Sequence, residues 1–274
     1  MTRNSLSECA GMRLGLSATP RRWFDDEGTA VIFSYFGQTC FEYTLEQAIG
    51  KYLTPYRYYP QLVSLTGDEA NYYKALTSQI TSLMSRSEKD PEVHEQAKML
   101  LLKRARIISG AEEKLPAMLR LLALVMEQDR RNGRETRDIL IYCTPGHHRE
   151  VLQAVAGLGL RCHEFVHDVG LSDRERLLGQ FANGDIQVLV AIKCLDEGVD
   201  VPSTRTAFIM ASSTNPREFV QRRGRILRLA EGKSEATVYD FIVVPPLERL
   251  ALKQETDVSI LKREMPRFVI QRAA

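Results

Sequence analysis

Four arginines fall within eight residues, from Gln221 through Arg222, Gly224 and Arg225 to Arg228. Guanidinium groups stay charged and grip phosphate oxygens with paired donors. On a helix, Arg225 is three residues from both Arg222 and Arg228, so each pair shares a face. Gly224 admits the close approach of a backbone or a phosphate. Two guanidiniums so placed can stabilise charge developing on a transferring γ-phosphate. A solvated basic face, or one laid along a nucleic-acid backbone, would use the same residues.

Two further stretches have chemical potential. In "VLVAIKCLDEGVDVP" (188–202), a β-branched run leads into a loop with Gly198, Asp200 and Pro202. A loop of this kind offers backbone donors to phosphate and a carboxylate to a ribose hydroxyl; an ordinary strand–turn with an exposed Asp has the same composition. In "LGLSATP" (14–20), Ser17 and Thr19 follow an apolar run. Their hydroxyls can link two sites by hydrogen bonds, or simply cap a turn.

The elements that must position these residues follow from periodicity. In the C-terminal half, strand-like runs at 138–144, 161–167, 186–192, 206–212 and 236–244 alternate with helix-like segments. Ser172 with Glu175 three residues on predicts a helix start, and Asn215-Pro216 predicts another. Asn183-Gly184 predicts a helix end. The alternation implies an α/β fold, a parallel sheet with helices on both faces, and ligands at the carboxyl ends of its strands. The N-terminal half reads differently. "MRLGLSATP" predicts a strand, "AVIFSYFG" a short strand and "CFEYTLEQAIG" a short helix. "YRYYP" (56–60) suits base stacking or packing at a junction between lobes. Residues 67–132 read as two or three helices, and Lys103–Arg106 would line a nucleic-acid path or a solvated face.

Composition sets the limits. The chain is 44% hydrophobic and 26% charged, as ordinary globular proteins are, and its net charge is +2. Any nucleic-acid surface must therefore be local. Five dispersed cysteines suggest reduced thiols in a cytoplasmic protein. No secretory signal is expected at the start, and "LPAMLRLLALVM" is too short to span a bilayer. Cys143, His147, His148, Cys162, His163 and His167 lack the tight paired spacing of a zinc site, so no metal is assigned to them.

Taken in order, the motifs resemble those of superfamily-two helicases and translocases. "SATP" looks like motif III, "DILIYCTP" motif IV, "VLVAIKCLDEGVDVPS" motif V and "QRRGRILR" motif VI. The Q-R-x-G-R-x-x-R form is most similar to XPB-like and restriction-subunit helicases. The resemblance covers roughly residues 11–245. It implies a RecA-like lobe, ATP and magnesium as cofactors, and nucleic acid, DNA before RNA, as partner. It implies arginine fingers at Arg225 and Arg228, nucleotide contacts at Gly198, Asp200, Gln221 and Arg222, and coupling roles for Ser17 and Thr19. Many relatives carry Thr-Asp where this chain has Ile192-Lys193; Lys193 would then offer a point charge in place of the threonine hydroxyl.

The same resemblance places a P-loop and a DExH box upstream of motif III, which here starts at residue 17. Neither is expected within these residues. "GKS" (232–234) copies the end of a P-loop motif, but Leu227 stands where glycine is required and the order is helix before strand. Asp196-Glu197 imitates the acidic box, but Lys193 and Cys194 interrupt the strand before it. The expected organisation is the end of a first RecA-like lobe with a linker (1–40), linker and helical insertion (41–132), second RecA-like lobe (133–245) and helical tail (246–274). The expected function is the C-terminal part of an ATP-dependent helicase, inactive alone and completed by a P-loop lobe in cis or in trans. The alternative is a non-catalytic nucleic-acid-binding or partner-completing subunit.

Overall fold

The structure, a computed structural model, describes residues 9, 11–17, 20–22, 25–87, 90–166, 171–192, 201–211, 224–250 and 255–272. Helices α1 (Asp26–Phe36) and α2 (Leu45–Ala48) precede strand β1 (Tyr56–Ser64). Three helices follow, α3 (Gly67–Ser87), α4 (Pro91–Ser109) and α5 (Lys114–Arg131). Then strands and helices alternate: β2 (Ile139–Tyr142), α6 (His148–Gly157), β3 (Cys162–Phe165), α7 (Leu171–Asn183) and β4 (Val188–Ala191). Strands β5 (Thr206–Ile209) and β6 (Ala236–Val244) complete the sheet, and α8 (Leu247–Leu250) and α9 (Glu255–Arg272) form the tail.

The six strands lie in the order β1-β6-β5-β2-β4-β3. Every described pairing is parallel. Parallel strands need crossovers, and the crossovers cover both faces. Side-chain alternation shows this directly. Leu140 and Tyr142 face a cluster with Phe165, Phe181 of α7 and Ile226. Ile139 and Ile141 face the other way, towards Met118 and Leu122 of α5 and Val151 and Val155 of α6. A third cluster joins α3, α4 and α9 to the end of β6 through Tyr73, Ile108, Ile260 and Val243.

Edge strand β1 pairs along its whole length with β6, Tyr56 opposite Ala236 and Ser64 opposite Val244. This is where "YRYYP" lies: Tyr56 and Tyr58 pack on the core, and Tyr59 stacks on Tyr239 at 5.5 Å. Arg104 of the basic run in α4 sits over the Tyr73 ring and donates to Thr77 Oγ1 at 3.3 Å, so it ties α4 to α3. Lys103 and Arg106 are exposed.

Local chemistry explains the boundaries. Asp90 caps α4 by accepting from Glu92 N, with Pro91 in the first turn. Gly184, at φ +86°, follows α7 as Asn183-Gly184 predicts. Ser172 falls inside the first turn of α7, because the helix starts one residue earlier. Two predicted strands differ. Residues 30–36 of "AVIFSYFG" belong to α1, where Asp25 accepts from Gly28 N at 2.7 Å and Gly37 closes the last turn. A local cap outweighs β-branched residues that have no sheet beside them. Residues 13–17 of "MRLGLSATP" have no regular structure, and Leu16 is 87% exposed. No described strand flanks them, and an extended segment without a ladder partner is not a stable strand.

Leu122 is fully buried between α5 and the sheet. Leu122→Ala should lower unfolding stability by about 2–5 kcal/mol in urea titrations, through lost apolar contact and a residual cavity.

Candidate functional site

Of the residues with predicted chemistry, Thr19, Lys193, Gly198, Asp200, Gln221 and Arg222 lie outside the described residues, as does Asn215-Pro216. Ser17 is exposed in the segment before α1. Arg225 and Arg228 are described and lie in a short segment leading into β6. Between them, Ile226 and Leu227 are fully buried. Ile226 enters the core cluster beside Ile209 and Ala211 and so anchors the segment to the sheet.

The helical hydrogen-bonding pattern covers 224–226 and stops. Arg228 is instead in an antiparallel bridge with Leu53. Arg225 and Arg228 therefore do not lie three apart on one continuing helix face. The reason is that carbonyls 226–228 accept from outside the helix. Thr54 N donates to Leu227 O at 2.6 Å, and Thr54 Oγ1 donates to Arg228 O at 3.2 Å. Lys233 Nζ donates to Ile226 O at 2.6 Å and Arg228 O at 3.1 Å. Its third bond goes to Pro202 O at 2.9 Å, at the end of the loop that follows β4.

This arrangement lies at the amino edge of the sheet, not the carboxyl edge. Thr54 precedes β1, Pro202 precedes β5, and Arg228 and Lys233 precede β6. A parallel β6 can start only after the chain has crossed back to that edge, and the arginine segment is the last part of that return.

One atom of the site is out of balance with its surroundings. Arg225 is half-buried, and its Nη1 is buried with no hydrogen-bond partner among the described residues. A buried guanidinium donor left unpaired is costly, and an anion is its natural complement. Beside Gly224, no described atom lies within 4 Å of the position a Cβ would occupy. Packing within the described residues does not call for glycine there.

Lys233 was legible only as a false P-loop lysine, in "GKS". Its burial and its three carbonyl partners make it a fastening for the arginine segment. Burial pulls its ammonium down to about 8, the Arg205 guanidinium pulls the same way, and Asp138 opposes them. Arg205 in turn pairs with Asp138 at 3.0 Å and donates to Gly232 O at 3.0 Å. Asp240, an acid within the apolar run of β6, is fully buried and accepts from Tyr58 OH at 3.0 Å. An acid within "VYDFIVV" is a visible signal; Thr54 carries none.

At the carboxyl edge, a cavity of about 150 Å³ opens between the α4–α5 turn and the start of α6. Lys114 closes one side, donating to Ile108 O, Ser109 O and Met210 O at 2.8, 3.2 and 2.6 Å. Around it, Thr144 donates to Ser109 O and His147 lies near Glu150. The sulfurs of Cys143 and Cys162 point at the carbonyls of Ala191 and Leu152. No helix among the described residues is long and apolar enough to cross a membrane.

The six-stranded parallel sheet, covered by helices on both faces, is RecA-like in fold. Residues 113–230 match the helicase conserved C-terminal domain. The chain is 26% identical over 234 residues to DNA 3'-5' translocase XPB2 of Sulfurisphaera tokodaii, across 79% of this chain and 49% of that protein. It therefore spans about half the length of that relative. It is 32% identical over 103 residues to putative mitochondrial ATP-dependent helicase irc3 of Schizosaccharomyces pombe, across 37% of this chain and 17% of that protein. The fold is similar to the C-terminal part of the Fun30 ATPase domain, with TM-score 0.51 and 13% identity over 77% of this chain and 89% of that one.

The Lys233 value implies a pH response. A free lysine titrates at 10.5, so between about 8 and 10.5 the unfolded chain holds a proton that the folded chain has released. Stability from this group is level below that window, rises with pH through it, and levels off above it. Urea midpoints at about pH 7 and about pH 9.5 should show the wild type gaining relative to Lys233→Met, with the gap moving in that direction only.

Proposed function

We propose that this chain is the C-terminal part of an ATP-dependent nucleic-acid helicase or translocase, and that Arg225 and Arg228 are its arginine fingers. The observation that carries this reading is the buried Nη1 of Arg225, which has no hydrogen-bond partner among the described residues, in the segment it shares with Arg228, anchored by Ile226 and Leu227. Among the described residues it is a donor without an anion. A γ-phosphate gathering charge in the transition state is the complement that motif VI predicts.

ATP would lie in a cleft closed by a P-loop lobe, in the same polypeptide or a partner. That lobe would supply the P-loop lysine, the catalytic base and the ligands for magnesium, which neutralises charge on the β- and γ-phosphates. From this chain, Gln221 and Arg222 would join the nucleotide and the facing lobe, and Gly198 and Asp200 would approach nucleotide and nucleic acid. Ser17 and Thr19 would couple hydrolysis to strand movement, and Lys193 would meet a backbone phosphate. DNA is the favoured track, supported by the likeness to a DNA translocase. Residues 1–40 are assigned to the end of the first lobe, and the second lobe takes in β1 together with 133–245. A cytoplasmic setting suits the dispersed thiols.

Two measurements test this. The 274-residue chain alone should show negligible ATPase, and joining it to a P-loop lobe should give nucleic-acid-stimulated turnover. In that assembly, Arg225→Ala or Arg228→Ala should lower turnover by about a thousandfold with little change in melting temperature. Turnover by the chain alone that disappears on Arg228→Ala would overturn the reading. Nucleic-acid binding with a steep salt dependence, unaffected by nucleotide or any P-loop lobe, would favour a non-catalytic module.

A further inference from the structure

We propose that Thr54 and Lys233 are positioning residues that set the arginine fingers by gripping the three carbonyls that end their helical turn, an inference that rests on the arginine-finger reading above. The last carbonyls of any helix lack intrahelical donors and must find others. Here those of residues 226, 227 and 228 accept from Thr54 and Lys233. Both are buried, at 0% and 7% exposure, so water does not compete for these bonds. The grip is two-sided: Arg228 O accepts from Thr54 Oγ1 and from Lys233 Nζ together.

Each gripping residue also belongs to something else. Lys233 holds Pro202 O, so the loop after β4, which carries the motif V residues, ends on the same ammonium as the arginine segment. Thr54 closes the stretch that runs from α1 into β1. Just before it, Ile49 bridges Leu53 and Gly50 N donates to Leu53 O at 2.7 Å, which makes a tight turn. Leu53 then bridges Arg228. Displacement of the segment entering the lobe is thereby passed to the arginine backbone through short, buried bonds. Positioning of this kind acts on the rate of the chemical step, because a misplacement on the order of 1 Å costs about a hundredfold.

The test uses two readouts. In the chain itself, hydrogen exchange should quicken at 226–229 in Thr54→Val, while β2 and β4 keep wild-type protection and Thr54→Ser behaves as wild type. In the assembly with a P-loop lobe, Thr54→Val and Lys233→Met should lower kcat about tenfold with KM for ATP unchanged, and Thr54→Ser should restore it. Arg228→Ala serves as the reference. If it abolishes turnover while Thr54→Val keeps wild-type kcat, the clamp is refuted and the finger reading stands. If Arg228→Ala leaves turnover intact, the finger reading itself fails and takes the clamp with it. Should Lys233→Met not fold, the Thr54 pair decides alone, since losing one hydroxyl leaves the backbone bond to Leu227 in place.

Discussion

A parallel strand can be followed by another only if the chain returns across a face of the sheet. That constraint organises this molecule. Each return brings an apolar stripe, and the stripes of α5 and α6 on one face and α7 on the other bury the central strands completely. With both faces filled, polar side chains with chemical work to do are driven to the strand ends and the connections. The arginine segment is such a connection. Ile226 and Leu227 are spent on the sheet, which leaves Arg225 and Arg228 on either side of an anchored pair.

The same constraint accounts for what the residues made legible. Continuous apolar runs such as "VLVA" and "ILIY", in a pattern alternating with helical segments, suit strands buried on both faces, and the structure has them as such. Alternation with helical segments was enough to give the parallel sheet. Failures cluster where neighbours decide. "AVIFSYF" has strand composition but no sheet beside it, so the Asp25 cap prevails and it coils. "YRYYP" ends in Pro60, which argues against an interior strand, and becomes the first half of β1 because β6 offers an edge. A proline is tolerated at such an edge, where it removes no interior ladder bond.

Of the site, the arginines were visible by type and spacing, but their geometry was not. Spacing alone implies a continuing helix. What stops it is a threonine 174 residues away and a lysine five residues on, and only the first of these is invisible in principle. Lys233 was visible but only as a rejected P-loop lysine, excluded by Leu227 and by the element order; its role as a fastening shows only in its burial and its carbonyl partners. Arg104 shows the converse: a basic run suggests a solvated or nucleic-acid face, and one of its members is a strut between helices.

The matched span of 113–230 begins after β1 and ends before β6. A polypeptide trimmed to those limits would keep four strands and leave β5, whose last three residues are wholly interior, as a bare margin. Unpaired amide and carbonyl groups along an apolar border recruit other chains. A piece that keeps all six strands paired must therefore reach at least back to residue 56 and forward to 244, taking the α3–α4 hairpin with it.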